Sequence, residues 1–224
     1  MRKSLENNME KLEALKLFCK YDGYRAFTEN PVYQIIDDVK CVVATDGHIL
    51  IICHNLQGID ENDITLNLTS PQFNSVVPKQ NCTELLSVET LKNAIDRIPI
   101  VDYEEIECEE CDGAGNVEFE YRTKDGLLYK NNCECPVCDG SGFSRKYGVK
   151  SHDKSYAIKF CDVLFKQKYI KILYEALSAL GIDKIPYLIQ KDEKKLTLKN
   201  EDYTIILMGM QKNFFGDPYK TIKI

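Results

Sequence analysis

The sequence predicts an α+β protein: helices on antiparallel sheets, interrupted by a zinc-ribbon-like insertion. Three observations predict it. Two C-x-x-C pairs lie between residues 108 and 142, apolar residues recur at helical spacing over 3–20 and 165–180, and short β-prone runs between turn dipeptides fill much of the rest. The chain accordingly divides into a body (1–107), a four-cysteine module (108–142) and a resumed body (143–224).

Residues 3–20 carry Leu5, Met9, Leu12, Leu15 and Cys19 on one helical stripe, and a turn at Asp22-Gly23 follows. Val32, Tyr33, Ile35 and Ile36 form a strand before Asp37-Asp38. K-C-V-V-A-T-D-G-H-I-L-I-I-C-H then places Asp46-Gly47 between two β-prone arms, a strong hairpin signal. The arms show little polar alternation, so both faces should be covered. Ile64, Leu66 and Leu68 alternate as a short strand. Ser87 caps a helix containing Val88, Leu91, Ala94, Ile95 and Ile98, which Pro99 closes. Residues 100–107 form a strand leading into the cysteine module.

The module reads C-E-E-C-D-G-A-G from Cys108 and, after 17 residues, C-E-C-P-V-C-D-G-S-G from Cys133. Cys108, Cys111, Cys135 and Cys138 make two pairs with matching Asp-Gly-(Ala or Ser)-Gly tails. Each pair offers two thiolates from one side of a metal, which predicts a tetrahedral site for one Zn2+. Four sulfurs leave no place for water, so this zinc would be structural. A redox dithiol is the competing use of a single C-x-x-C, and two matched copies argue against it. Cys133 reads as a spectator, with exchange for Cys135 left open. Between the pairs, V-E-F-E-Y-R-T-K-D-G-L-L-Y-K predicts a hairpin turning at Asp125-Gly126.

The repeated C-x-x-C-x-G-x-G resembles the zinc-binding repeats of DnaJ-type co-chaperones. That family carries four repeats and two zincs, whereas this chain has two repeats and room for one, and no His-Pro-Asp signature. The resemblance implies a metal-binding module and not a co-chaperone.

Beyond the module, 157–161 reads as a strand. Phe165, Tyr169, Ile172, Leu173, Ala176, Leu177 and Leu180 mark an amphipathic helix that Gly181 ends. Runs at 187–190, 195–198 and 203–210 predict three antiparallel strands, with turns at Lys191-Asp192 and Asn200-Glu201.

Val43-Ala44-Thr45-Asp46-Gly47-His48-Ile49-Leu50 resembles the Val-Ala-Thr-Asp-Gly-His-Arg-Leu segment of bacterial DNA polymerase sliding clamps. Far downstream, Ile205-Ile206-Leu207-Met208-Gly209-Met210-Gln211 is similar to the strand on which those clamps end, Met-Pro-Met-Arg. The resemblance implies a DNA-clamp-like body, although some 190 residues outside the module fall short of three full clamp domains. It further implies that Thr45, Gly47, His48, Leu50, Met208 and Met210 line a pocket for short partner peptides. It implies double-stranded DNA as a partner, contacted by Lys166, Lys168 and Lys171, and a homo-oligomer. Ile49, Gly209 and Gln211 depart from the family's arginine, proline and second arginine.

The net charge of −6 argues against indiscriminate nucleic-acid binding through bulk charge. Acids crowd the entry to the module, from Asp102 to Asp112, without an intervening base, and read as a solvated strand edge. The ten cysteines do not signal secretion, because no apolar leader opens the sequence and no run approaches membrane-spanning length. Cys19, Cys41, Cys53, Cys82 and Cys161 read as reduced core residues of a cytoplasmic protein with no membrane partner. No nucleophile elbow, phosphate loop or metal-hydrolase motif surrounds His48, His54 or His152, so no enzyme is expected. The sequence thus predicts a non-catalytic, clamp-like accessory protein of DNA processing. The other reading is a zinc-dependent protein-interaction module on an α+β scaffold.

Overall fold

The computed structural model describes residues 11–19, 29–60, 62, 64–66, 81–210 and 219–224. Leu5, Met9, the Asp22-Gly23 turn, Leu68 and Gln211 lie outside them. The chain forms two compact units, one containing the residues up to Ile98 and from Lys154 onward, the other Pro99–Asp153.

The first unit is mostly sheet. Its strands are β1 (Val32–Ile36), β2 (Val39–Thr45), β3 (Ile49–Cys53), β4 (Thr65–Leu66) and β5 (Glu84–Ser87) before the second unit. After it come β10 (Tyr156–Phe160), β11 (Val163–Lys166), β12 (Lys184–Gln190), β13 (Lys195–Lys199), β14 (Tyr203–Met208) and β15 (Lys220–Lys223). Eight of them form one sheet in the order β4-β1-β2-β3-β14-β13-β12-β5. Apart from β5, which joins the far edge through β12, its two halves come from before and after the second unit and meet where β3 pairs antiparallel with β14, Ile51 facing Ile205. A second sheet, β11-β10-β15, includes a parallel pairing of β10 with β15.

All three predicted helices have counterparts among the described residues. Helix α1 (Val88–Asp96) begins at Ser87, whose side chain accepts the Thr90 N–H, and it buries Leu91, Ala94 and Ile95. Helix α2 (Gln167–Ala179) buries Tyr169, Ile170, Leu173, Ala176 and Leu177. Gly181, at φ +68°, lets the chain turn away from its end. Residues 11–16 are helical as well, and Leu15 and Phe18 enter the same core. These helices cover one face of the large sheet, where Val42, Ala44, Ile49, Ile51, Leu196, Leu198, Ile205 and Leu207 point. Each fully buried leucine or isoleucine there contributes roughly 1.5–3 kcal/mol.

The opposite sheet face is also buried, around Val32, Ile36, Cys41, Val43, Leu50, Ile52 and Ile206. Successive side chains of β2 and β3 therefore bury on alternate faces, which explains why those arms lack polar alternation.

Two expectations need correction. Phe165 is not in the helix but on β11, opposite Ile158, and reaches the core from there. Cys161 is not a core residue; it is exposed, at φ +50° in the turn between β10 and β11. No helix among the described residues is long and apolar enough to cross a membrane.

The second unit holds two small antiparallel sheets. One pairs β6 (Ile100–Glu107) with β9 (Phe143–His152), the other β7 (Asn116–Arg122) with β8 (Leu128–Glu134). The β7–β8 turn falls at the predicted place, with Gly126 at φ +85° and the Thr123 N–H donating to the Leu127 carbonyl. The acidic strand β6 meets bases on its neighbour: Glu104 faces Lys146 and Glu105 faces Arg145. Unlike charges directly opposite one another stabilise an antiparallel pair.

Candidate metal centre and the β2–β3 turn

Cys108, Cys111, Cys135 and Cys138 converge, with all four sulfurs within 4.8 Å of one another. All are buried, Cys108 and Cys135 completely. The Cys108–Cys135 and Cys111–Cys138 sulfurs are 3.9 and 3.8 Å apart. A tetrahedron with metal–sulfur bonds of about 2.3 Å has edges of about 3.8 Å, so these four sulfurs could hold one metal ion. Val117 packs against them from the start of β7.

The two knuckles match bond for bond. The Gly113 N–H donates to the Cys108 carbonyl and the Gly140 N–H to that of Cys135, at 3.1 and 3.2 Å. The Gly115 and Gly142 amides donate to Cys111 Sγ and Cys138 Sγ, each at 3.2 Å. The knuckles also exchange bonds: Cys108 N–H to the Gly142 carbonyl, and Cys135 N–H to that of Gly115. Burial works against a Cys108 thiolate, but the Glu110 and Cys111 amides together with hydrogen bonds from the Cys111 and Cys138 thiols outweigh it and bring the thiol down to about 7. Burial pushes the Cys111 thiol up to about 11, despite the Gly115 amide. Amides aimed at sulfur favour thiolates, the form that binds metal.

Cys133 stands apart. It is exposed on β8, with its Sγ 3.8 Å from the Val117 carbonyl.

In the first unit, hydrogen bonds fix the turn between β2 and β3. Thr45 Oγ1 donates to the Ile49 carbonyl at 2.7 Å and accepts the Gly47 N–H at 2.9 Å. Asp46 Oδ1 accepts the His48 and Ile49 amides at 2.8 and 3.1 Å. Gly47 sits at φ +89°. The end of β14 closes on this turn, where the Met208 N–H donates to the His48 carbonyl at 2.9 Å. Thr45, Gly47, His48, Leu50 and Met208 are thereby gathered at one place. Thr45 and Leu50 lie buried, while Gly47, His48 and Met208 are exposed. Met210 belongs to the next contact along, its N–H donating to the Leu164 carbonyl at 2.7 Å.

Sequence reasoning missed Tyr169, because its partner lies over a hundred residues away. From the first turn of α2 its ring stacks on His48 at 5.7 Å. Burial, then the charge of Asp46 and a hydrogen bond to that carboxylate, raise its phenol well above the ordinary range. A helical tyrosine thus braces the turn. Near it, Lys166 immediately precedes α2, Lys168 Nζ lies 4.4 Å from the Tyr169 ring centre, and Lys171 lies 3.9 Å from Glu175. All three lysines are exposed.

Gly209 has a local reason to be glycine. Its N–H donates to the Lys194 carbonyl at 2.6 Å, and an added Cβ would lie 2.4 Å from Val163 Cγ1. Gly209→Pro removes that donor and forces the contact, so a loss of about 1–3 kcal/mol in denaturant-melt stability is expected. An unchanged midpoint would contradict this packing.

Charge separates by unit. The span Pro99–Asp153 contains 13 acids and 6 bases, a net of −7, which leaves +1 for the rest of a chain whose total is −6.

No protein-family profile and no curated protein matches the sequence. Solved structures do. The chain is similar to DNA polymerase III subunit beta from Pseudomonas aeruginosa (12% identity, TM-score 0.47), covering 93% of this chain and 65% of that one. It is similar to the same subunit from Borrelia burgdorferi in complex with a natural product (14%, 0.49), covering 93% and 63%. It is also similar to the DNA polymerase sliding clamp from Bacillus subtilis (10%, 0.47), covering 92% and 63%. The chain spans less than two thirds of each neighbour's length.

Proposed function

We propose that this protein is a non-catalytic, sliding-clamp-like accessory protein of DNA processing, whose second unit is held together by one structural Zn2+. The observation that carries the reading is the hydrogen bond from Met208 to His48. It joins the two stretches, some 160 residues apart, that separately resemble the peptide-site segments of bacterial clamps. Thr45, Gly47, His48, Leu50, Met208 and Met210 would receive a short apolar peptide, with the exposed Met208 as an adaptable contact. The concentration of the net negative charge in Pro99–Asp153 leaves the first unit, at +1, free of net repulsion for phosphates. Lys166, Lys168 and Lys171 would contact the double-stranded DNA backbone without reading sequence.

The donor set suits Zn2+, since four thiolates in a tetrahedron select zinc or iron–sulfur chemistry over hard cations. Bound there, zinc would neutralise part of the thiolate charge and tie the two knuckles together. With no ligand position open, it would not activate water.

Light scattering with and without a nicked circular duplex tests the clamp reading. The expected result is a homo-oligomer that stays on circular DNA and slides off once the DNA is cut linear. A monomer indifferent to DNA would remove the reading.

A further inference from the structure

The β7–β8 hairpin has two unlike faces. Its register sets Val117 against Cys133, Phe119 against Asn131 and Tyr121 against Tyr129. Alternate residues of a strand share a face, and directly opposed residues do too. One face therefore begins at Val117, packed on the cysteine cluster, and runs outward through Phe119, Tyr121 and Tyr129. These three are 60%, 59% and 58% exposed. The other face is ionic, with Lys130 held 2.6 Å from both Glu118 and Glu120.

Burial of large apolar side chains is the main drive for folding, and exposed ones normally stand singly. Here they are concentrated. Of 14 exposed large hydrophobics among the described residues, nine lie within Pro99–Asp153. That unit also carries a net charge of −7. Phosphates are repelled by such a surface, and so is a second copy of the unit. A polypeptide that brings positive charge together with apolar side chains is attracted by the first property and held by the second.

We propose that the aromatic face of β7–β8 is a docking surface for a basic, apolar-faced segment of a partner protein. Phe119, Tyr121 and Tyr129 are the apolar anchors, and the net negative charge of the unit as a whole supplies long-range steering. Aromatic side chains are the residues most often found at the energetic centre of interfaces. The two-stranded sheet also has open edges that an extended segment could extend. This surface is independent of the clamp reading, because every residue in it belongs to the second unit.

The test uses the full chain loaded with zinc. The probe is a labelled synthetic peptide alternating leucine with lysine and arginine; its counterpart replaces the bases with aspartate and glutamate. Fluorescence anisotropy should show the basic peptide binding at least tenfold more tightly than the acidic one. Phe119→Thr/Tyr121→Thr/Tyr129→Thr keeps strand-favouring residues at all three sites. It should weaken binding at least tenfold while zinc content stays at one per chain. Should that variant lose zinc, Tyr121→Thr alone, expected to weaken binding at least threefold, decides the matter. Equal binding by a variant that keeps its zinc overturns the proposal. So does oligo-dT binding that the triple variant abolishes, which would make the face a base-stacking platform. A concentration-dependent dimer lost in the triple variant would likewise replace the partner with a second copy of this chain.

Discussion

With zinc held as proposed, Cys135→Ser is expected to abolish metal binding and unfold the span Pro99–Asp153. Cys135 is completely buried, its sulfur is 3.9 Å from that of Cys108, and its backbone N–H ties one knuckle to the other. A serine hydroxyl does not ionise at neutral pH, so one corner of the tetrahedron would be missing. Structural zinc contributes on the order of 10–16 kcal/mol in small zinc peptides, far more than a unit with this little apolar core can replace. Metal analysis should show one zinc per chain falling towards none, and a thermal melt should lose the transition belonging to this unit. Cys133→Ser, at the exposed fifth sulfur, should change neither. Full zinc content and an unchanged melt in Cys135→Ser would sink the four-cysteine assignment.

Gly142→Ala is expected to damage the same unit without touching a sulfur. Gly142 sits at φ +76°, and a Cβ there would lie 2.3 Å from the Gly113 carbonyl oxygen. Gly115 faces the reciprocal problem, 2.4 Å from the Gly140 oxygen. Left-handed backbone costs a non-glycine residue about 1–2 kcal/mol, and an overpacked contact about 1–3 kcal/mol more. A total loss of about 2–5 kcal/mol should appear in chemical denaturation of the zinc-loaded protein. Gly126→Ala is the control: φ is +85°, but nothing lies within 4 Å of the added carbon. It should cost only the backbone term. If the two alanine variants melt alike, the knuckles do not interlock as described.

Local chemistry was legible where neighbouring residues settle it. Asp46-Gly47 and Asp125-Gly126 both mark hairpin turns, and Ser87 caps the helix it was expected to cap. The cysteine spacing also identified the four sulfurs that converge. What stayed hidden depends on partners distant in sequence. No local pattern says that β3 pairs with β14, that β15 runs parallel to β10, or that β5 joins the far edge through β12. The acidic run on β6 looked uncompensated because its bases come from β9, some forty residues on. Phe165 was misplaced because its spacing continues the helical stripe, although strand pairing with β10 claims it first. Tyr169 gave the right helix but no hint that its ring braces His48.

The second unit is pinched at its base. The Asp153 N–H donates to the Pro99 carbonyl at 2.9 Å, so the 55-residue excursion departs and returns at one point. For the polypeptide as a polymer, such an excursion is nearly invisible. Joining β3 to β14 requires closing a loop of roughly 150 residues, and a neck that is already tied shortens it to roughly 100. Because closure entropy rises only with the logarithm of length, the difference is a few tenths of a kcal/mol. The eight-stranded sheet can therefore assemble at much the same rate with the excursion long, short or absent. That leaves the length of the excursion free to vary at little cost to the sheet.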